Sequence, residues 1–491
     1  MLKPAARRGL TVFAAVVLLA ALAVVLFAFR LSGGPIRADS LRPAVERSLE
    51  KQVEGGQAQV GHVDIIWFGE AHAAGLRLTD VLLEDGRGRP VLKAKLVETG
   101  IGTDSLLRLS PAPAHLVLRD FFVATSVSKE GRFALGYDAV GPPPILHLRE
   151  VLRELTGKPR RGRPLSFVRH VDLARGEMLL RQVAGPVRWT ARVHKVAFHK
   201  TAERFDADVR VVIDDGEGQA NLRGQARGRV GLKALAASGA ATGLVPARVF
   251  PAVGFTRRLS LVDAPVAGKA RIEYAADKGV TAAEVSGHAG GGTLRLGPVV
   301  QPMQGAELAT HYDPVRKQVV LDAFRLEAER TRLDIAGRLW LKPETRGQPA
   351  RLEYRLTSDD SLIAAEPTAT PQRLRDLVLN GSITPERGRF EVSDLRVMLG
   401  DAPVRGHLLV WRGRDAEASP GIKGELTVGG PISIQSVYAF WPAEIAGAAR
   451  AWVVPRLRAT RVTRSSVMAD IPPGRLDTRR LDNRMLKVAF T

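Results

Sequence analysis

From Gln219 to Val230 the chain alternates without interruption. Ala220, Leu222, Gly224, Ala226, Gly228 and Val230 fall on one parity, and Gln219, Asn221, Arg223, Gln225, Arg227 and Arg229 on the other. Successive side chains of a strand point to opposite sides, so a period of two predicts a β-strand with one apolar and one wet face. The pattern recurs down most of the chain. Phe205, Ala207, Val209, Val211 and Ile213 alternate with Asp206, Asp208 and Arg210, and Leu333, Ile335, Gly337, Leu339 and Leu341 alternate with Arg332, Asp334 and Arg338. Shorter copies run through Ile272 and Tyr274, Leu352 to Leu356, and Val404 to Val410 with Leu408 on the apolar side. Such a chain makes a great deal of one-sided apolar surface, which something must cover.

The 491 residues are enough for two to four ordinary domains or one elongated array. Aromatics make up only 5%, and Ala or Gly often stands where a large apolar side chain would fill a core. The 72 Lys and Arg against 51 Asp and Glu give a formal charge of +21, which suits anionic lipid, lipopolysaccharide or nucleic acid. Most Arg residues sit singly on polar strand faces, and the dense basic run is Lys158, Arg160, Arg161 and Arg163, broken by Pro159, Gly162 and Pro164. This run reads as a solvated loop. No stacking aromatics accompany it, which argues against nucleic acid as a partner. With no cysteine, disulfides, thiolate chemistry and zinc-thiolate sites are excluded.

Leu10 to Phe29, through Val17 and Leu22, is an almost unbroken apolar run. As a helix it would span roughly 30 Å, the thickness of a bilayer core. It is longer than the apolar core of a cleaved signal peptide and ends at Phe29-Arg30 without a small-residue cleavage site, so an uncleaved anchor is expected. Lys3, Arg7 and Arg8 before it favour a cytoplasmic N-terminus.

The expected organisation is a cytoplasmic tail (1–9), the anchor (10–29) and a juxtamembrane amphipathic helix (38–53) capped by Asp39 or Ser40. Four β-units follow: the first at 59–141, a helix and the second at 145–230, a helix and the third at 232–356, and a short helix and the fourth at 370–428. The segment 432–491 completes the chain with a Trp-Pro helix and strands that stop at Thr491, as in a C-terminal fragment. The connector helices are placed at Ile145–Leu155, Leu232–Val253, Thr370–Leu379 and Ile432–Leu457. No βαβ rhythm is evident, so an antiparallel sheet is expected.

Catalytic patterns are missing from the sequence. The run Gly287 to Gly292 reads as a loose hairpin turn. His62 with His72 and His194 with His199 lack partners at ligand spacing, and Asp214-Asp215 and Asp359-Asp360 read as solvated turns rather than calcium ligands. No enzyme, metal or cofactor is expected.

Short motifs across the chain resemble the AsmA-like proteins of the Gram-negative envelope, especially the large YhdP/TamB type. They are Gly34-Pro35-Ile36 with Asp39 to Pro43, Leu116 to Phe133 with Arg119 and Gly131-Arg132-Phe133, Asp263 to Gly268, Trp441-Pro442, and Arg450-Ala451-Trp452. The resemblance implies a mainly β fold, an elongated and curled repeating groove of antiparallel strands with short helical connectors plus one N-terminal transmembrane helix. Such a protein is a bridge-like conduit, held in the inner membrane with its bulk in the periplasm, that carries phospholipid between inner and outer membranes. The groove candidates are Phe205, Ala207, Val209, Val211, Ile213, Ala220, Leu222, Gly224, Ala226, Ile272, Tyr274, Leu333, Ile335, Leu339, Leu352, Leu356 and Leu408. Small residues such as Gly224, Ala226 and Gly228 would leave room for acyl chains. A two-chain lipid exposes some thirty methylenes at about 0.8 kcal/mol each, so crossing water costs roughly 25 kcal/mol that an apolar trough removes. Alternation alone equally allows a sandwich whose apolar faces pack on each other. The alternative function is an envelope scaffold whose strand edges bind outer-membrane or periplasmic proteins.

Overall fold

The computed structural model describes residues 34–69, 73–102, 105, 112–127, 133–137, 148–182, 188–249, 262–296, 299–345, 349–364, 371–413, 418–433, 436, 461–476 and 484–490. Leu10, Val17, Leu22 and Phe29 of the expected anchor lie outside these residues, as do Gly131-Arg132, Trp441-Pro442 and Arg450 to Trp452. Among the described residues no helix is long and apolar enough to cross a membrane. The chain is mainly β and divides into two compact units, the first built chiefly from residues up to Leu244 and the second chiefly from Ser260 onward.

In the first unit the described strands are β1 (Ile36–Arg37), β2 (Gln57–Gln59), β3 (His62–Phe68), β4 (Ala73–Glu84), β5 (Pro90–Gly102), β6 (Pro113–Val127), β7 (Phe133–Leu135), β8 (His170–Gln182), β9 (Arg188–Lys200), β10 (Arg204–Asp214), β11 (Gln219–Arg229) and β12 (Ala234–Leu244). They hydrogen-bond in the order β3–β4–β5–β6–β8–β9–β10–β11–β12, with β1 on β3, β2 on β4 and β7 on β6. One pairing departs from the antiparallel expectation: β6 and β8 run parallel, His115 beside His170 through Val127 beside Gln182. A parallel neighbour needs a long crossover, and the connection from β6 to β8 is that crossover. Its described part holds the short strand β7, the short helix α2 (Leu148–Leu155) and a 3₁₀ turn at Pro164–Phe167, which leaves no regular βαβ period to show in the sequence.

The amphipathic helix after the anchor is α1 (Arg42–Glu50), preceded by a single 3₁₀ turn at Asp39–Leu41. Val45 and Leu49, one helical repeat apart, pack on Val60, Val63, Leu78 and Val81. Asp39 does not cap the helix. Its carboxylate accepts the backbone N–H of Val63 at 3.0 Å instead, so the residue read as a cap staples the helix to β3. Glu46 accepts the N–H of Val60 at 3.0 Å. The first of these bonds satisfies a strand-edge donor that would otherwise invite foreign pairing.

The second unit contains β13 (Val262–Asp263), β14 (Val266–Ala275), β15 (Gly279–Ala289), β16 (Gly292–Leu296), β17 (Val299–Asp313), β18 (Gln318–Ala328), β19 (Thr331–Lys342), β20 (Arg351–Ile363), β21 (Gln372–Thr384), β22 (Arg389–Leu399), β23 (Ala402–Trp411), β24 (Gly421–Val428), β25 (Ile432–Ser433), β26 (Arg461–Val462), β27 (Ser465–Ile471) and β28 (Leu486–Phe490). From β17 to β24 each strand pairs antiparallel with the next, and β24 continues through β27 to β28.

Two of the expected connector helices give way to strands at Ala234–Leu244 and Gln372–Thr384, the first segment turning helical only at Pro246–Val249. The one expected over Ile432–Leu457 lies mostly outside the described residues, of which Ile432–Ser433 is a two-residue strand. The Ala-rich text of β12 suits a helix by propensity, but its ladder with β11 matches small residue to small residue, Gly239 on Gly224 and Ala237 on Ala226. Tertiary pairing overrides a weak local preference. Asp359-Asp360 is also no turn. It lies within β20, where Asp360 receives a two-pronged bond from Arg373 at 2.7 and 3.1 Å. Asp214-Asp215 does form a turn, its carboxylates accepting the N–H groups of Gly216, Glu217 and Gly218.

Candidate functional site

Strand register decides which alternating residues share a face. In the first unit one row crosses nine strands: Val63, Leu78, Val97, Leu118, Leu173, Val196, Val209, Gly224 and Gly239 stand opposite one another in turn. A polar residue never interrupts it. A neighbouring row takes Val193, Val211, Leu222 and Ala241. The predicted residues of β10 and β11 thus form one surface, with Phe205 against Gly228, Ala207 against Ala226, and Ile213 against Ala220.

In the second unit a row of ten runs from Tyr312 through Val319, Leu339, Tyr354, Gly381, Val392, Leu408, Gly424 and Ala469 to Leu486. Beside it lie Leu321, Gly337, Leu356, Leu379, Leu395, Gly406, Leu426 and Val467. Leu333 and Ile335 join the same face opposite Leu326 and Phe324, and Leu352 joins opposite Leu341. On β14 the backbone of Gly268 backs directly onto Gly287 of β15. Gly287 pairs with Leu308 and so belongs to this face, and alternation places Ile272 and Tyr274 there too.

The face is covered at strand ends and open in the middle. Phe205, Ile213 and Ala220 are buried. Phe205 lies with Phe198 and Val168 under Leu155 of α2 and Leu165; Ile213 and Ala220 lie with Leu180 and Trp189 under Val249. Between these ends Ala207, Val209, Val211, Leu222, Gly224 and Ala226 are only half-buried. In the second unit Leu333, Ile335, Leu339, Leu352, Leu356 and Leu408 are half-buried, while Leu341 is 69% exposed and Leu426 41% exposed. Hydrophobic clusters on these faces join neighbouring strands and short flanking segments, which is not the burial pattern of two facing sheets.

At Gly337, Gly406 and Gly424 an added Cβ would lie 2.3, 2.3 and 2.5 Å from a neighbouring strand's carbonyl oxygen; two other kinds of glycine bear on the face itself. A Cβ on Gly228 would lie 2.5 Å from the Phe205 ring, one on Gly176 2.1 Å from the Phe121 ring, and one on Gly381 2.5 Å from the Tyr354 hydroxyl. These positions are already filled by a neighbour's aromatic side chain, which corrects the expectation that Gly228 leaves room for a guest. At Gly224 and Gly239, paired with each other, the nearest atoms to an added Cβ are carbonyl oxygens at 3.7 and 3.5 Å. That pair is smooth, unfilled floor.

The opposite face is largely polar and cross-linked by charge, apart from a buried patch that includes Ile66, Phe68 and Ala73. Arg77 donates to Glu98 at 2.7 Å, Arg119 pairs with Asp172, Lys195 donates to Asp208 at 3.0 Å, and Arg325 donates to Glu307 at 2.9 Å. The parallel β6–β8 ladder brings together side chains the sequence scatters. Phe68, His115 and His170 stack with centroid separations of 3.8 and 4.8 Å, and His199 meets His170 edge-on at 6.2 Å. Glu98 lies against this stack, and its hydrogen bond with His115, then Arg77, holds its carboxyl below the usual carboxylate range. Only the sheet order could have revealed the cluster, since no local spacing links the three histidines. Among the described residues no group of three or more His, Asp or Glu is placed to hold a metal ion. No protein-family model, curated protein or solved structure matches the chain.

Proposed function

We propose that this chain is a non-enzymatic lipid conduit, related to the AsmA-like envelope proteins, whose apolar faces hold the acyl chains of phospholipids. The observation that carries the reading is the unbroken apolar row across consecutive strands in each unit, half-exposed at its centre. Exposed apolar surface of this extent is costly in water and marks a binding surface. A single acyl chain is narrow and linear, and a row of Val, Leu and Gly side chains offers it contact without a closed pocket. The ion-paired opposite face keeps such an array soluble. The N-terminal apolar run would anchor the conduit in the inner membrane with its bulk in the periplasm, delivering to the outer membrane or its proteins.

Native mass spectrometry of the full chain, extracted gently from membranes, tests this. Retained phospholipid is the expected result. A lipid-free chain carrying outer-membrane polypeptides would instead support the scaffold reading, in which strand edges do the binding.

A further inference from the structure

The basic run is the solvated loop the sequence suggests, with Lys158, Arg160, Arg161 and Arg163 exposed, and it is also folded into a fixed shape at one end of the apolar face. Its hub is buried Ser166. The Ser166 hydroxyl donates to the Arg163 carbonyl at 2.6 Å and accepts the Arg160 N–H at 2.9 Å. Beneath it Lys200, also buried, donates from Nζ to the carbonyls of Leu155 at 2.8 Å and Ser166 at 2.7 Å. Leu155 is the last residue of α2, so this ammonium occupies the negative end of the helix, which would otherwise repel an anion. Across from the loop, the N–H of Gly231 in the β11–β12 turn donates to the Thr156 carbonyl at 2.8 Å.

Between the loop and the turn lies a cavity of about 380 Å³, lined by Arg153, Lys158, Arg160, Arg163 and Lys233, with Glu154 the one carboxylate in the lining. Elsewhere in this unit many basic side chains on the polar face are matched with carboxylates. The five that line this cavity make no ion pair among the described residues. The end of α2 that lines the cavity with Arg153, and with Thr156 just beyond it, lays Leu155 on the cluster of Val168, Phe198 and Phe205 at the end of the apolar face. A cationic pocket therefore adjoins an apolar surface.

We infer that this cavity binds the phosphate of an anionic headgroup at the end of the apolar face, so that the conduit prefers anionic over zwitterionic lipid. Five basic residues lining one cavity supply the guanidinium and ammonium chemistry that recognises a phosphate bearing uncompensated charge. The inference rests on the acyl-chain reading above. Free inorganic phosphate shares the headgroup's chemistry but not its tails.

The test loads the purified full chain from phosphatidylglycerol or phosphatidylcholine vesicles and counts bound lipid by mass spectrometry. It compares the native chain with R160E/R163E and R160Q/R163Q, and with R223E/R227E on the polar face as a charge-matched control. The expected result is at least a fivefold native preference for phosphatidylglycerol, reduced to below twofold in both pocket variants and kept by the control. Phosphatidylcholine loading should be unchanged throughout. Millimolar inorganic phosphate should lower phosphatidylglycerol loading without releasing phosphatidylcholine.

Equal loading of the two lipids by the native chain, or equal loss in the control, overturns the inference and leaves the acyl-chain reading intact. Phosphate binding to a chain that takes up neither lipid overturns both. Displacement of phosphatidylglycerol by a short oligonucleotide, at concentrations where phosphate does nothing, overturns the headgroup assignment in favour of a polyanion surface.

Discussion

The ends and the middle of the β10–β12 face use small residues for opposite purposes. At one end Gly228 is small because the Phe205 ring lies across it, and the aromatic recovers contact that the glycine gives up. In the middle Gly224 and Gly239 are small with nothing lying across them. The second unit repeats the first arrangement at Gly381, where Tyr354 crosses the strand and its hydroxyl donates to the Glu391 carbonyl at 2.9 Å. A glycine in an alternating pattern can therefore be a slot for a neighbour's side chain, a close approach to a neighbouring carbonyl as at Gly337, or a bare stretch of floor. Only the neighbouring strand tells which.

The sharpest way to break this comparison is to fill both kinds of position. Gly176→Val and Gly228→Leu must displace the Phe121 and Phe205 rings, and each should cost about 3 kcal/mol, read as a clear fall in the thermal midpoint of the purified chain by circular dichroism. Gly224→Leu should leave the midpoint within the scatter of a surface substitution, about 0.5 kcal/mol, yet reduce the lipid bound. Equal destabilisation at Gly224 and Gly228 would erase the distinction.

A smaller effect is expected at the filled glycine of the second unit. Tyr354→Phe keeps the ring over Gly381 and removes only the bond to the Glu391 carbonyl, costing about 1 kcal/mol. Burial pushes the Tyr354 phenol up to about 12, so the hydroxyl stays a donor throughout the neutral and mildly alkaline range. The Tyr354→Phe difference should therefore be the same at pH 7 and pH 9.

Two pH effects are smaller still. Glu98 titrates below its ordinary 4.5 in the folded chain, so the folded state holds fewer protons than the unfolded one in acid. Its stabilisation is complete above the ordinary value and fades as pH falls through the lower folded one. The native chain should lose midpoint between pH 5 and pH 3 faster than Glu98→Gln. Lys200 is also displaced downward, its ammonium brought to about 8 by burial and the nearby Arg169. Between pH 8 and the ordinary 10.5 the folded state again binds fewer protons, so stability contributed by this site rises with pH. Lys200→Met should abolish that rise.

Much of this was legible in the alternation. Period two fixed the strands and their sidedness because burial on one face enforces register, and the row through Val209 and Gly224 follows from it. What the text hid has physical causes. The strand at Ala234–Leu244 is written in helix-forming Ala, and only its match to Gly224 and Ala226 makes it a strand. The parallel crossover from β6 to β8 leaves no local mark, and with it went the stack of His115 on His170. The loop at Lys158–Arg163 is solvated as it reads, but its fixed shape was hidden because its organisers, Ser166 and Lys200, lie outside the basic run and act by burial.

The central claim is that lipid touches one face of the sheet and not the other. Photo-crosslinking side chains placed singly at Val209 and Leu356 on the apolar face, and at the exposed Arg210 and Arg355 next to them in sequence, would read this out with a phospholipid bearing a detectable acyl tail. Lipid adducts are expected at Val209 and Leu356, with only background at Arg210 and Arg355. Adducts of equal yield on both faces, or none at Val209 and Leu356 in a chain that retains lipid, would contradict the claim.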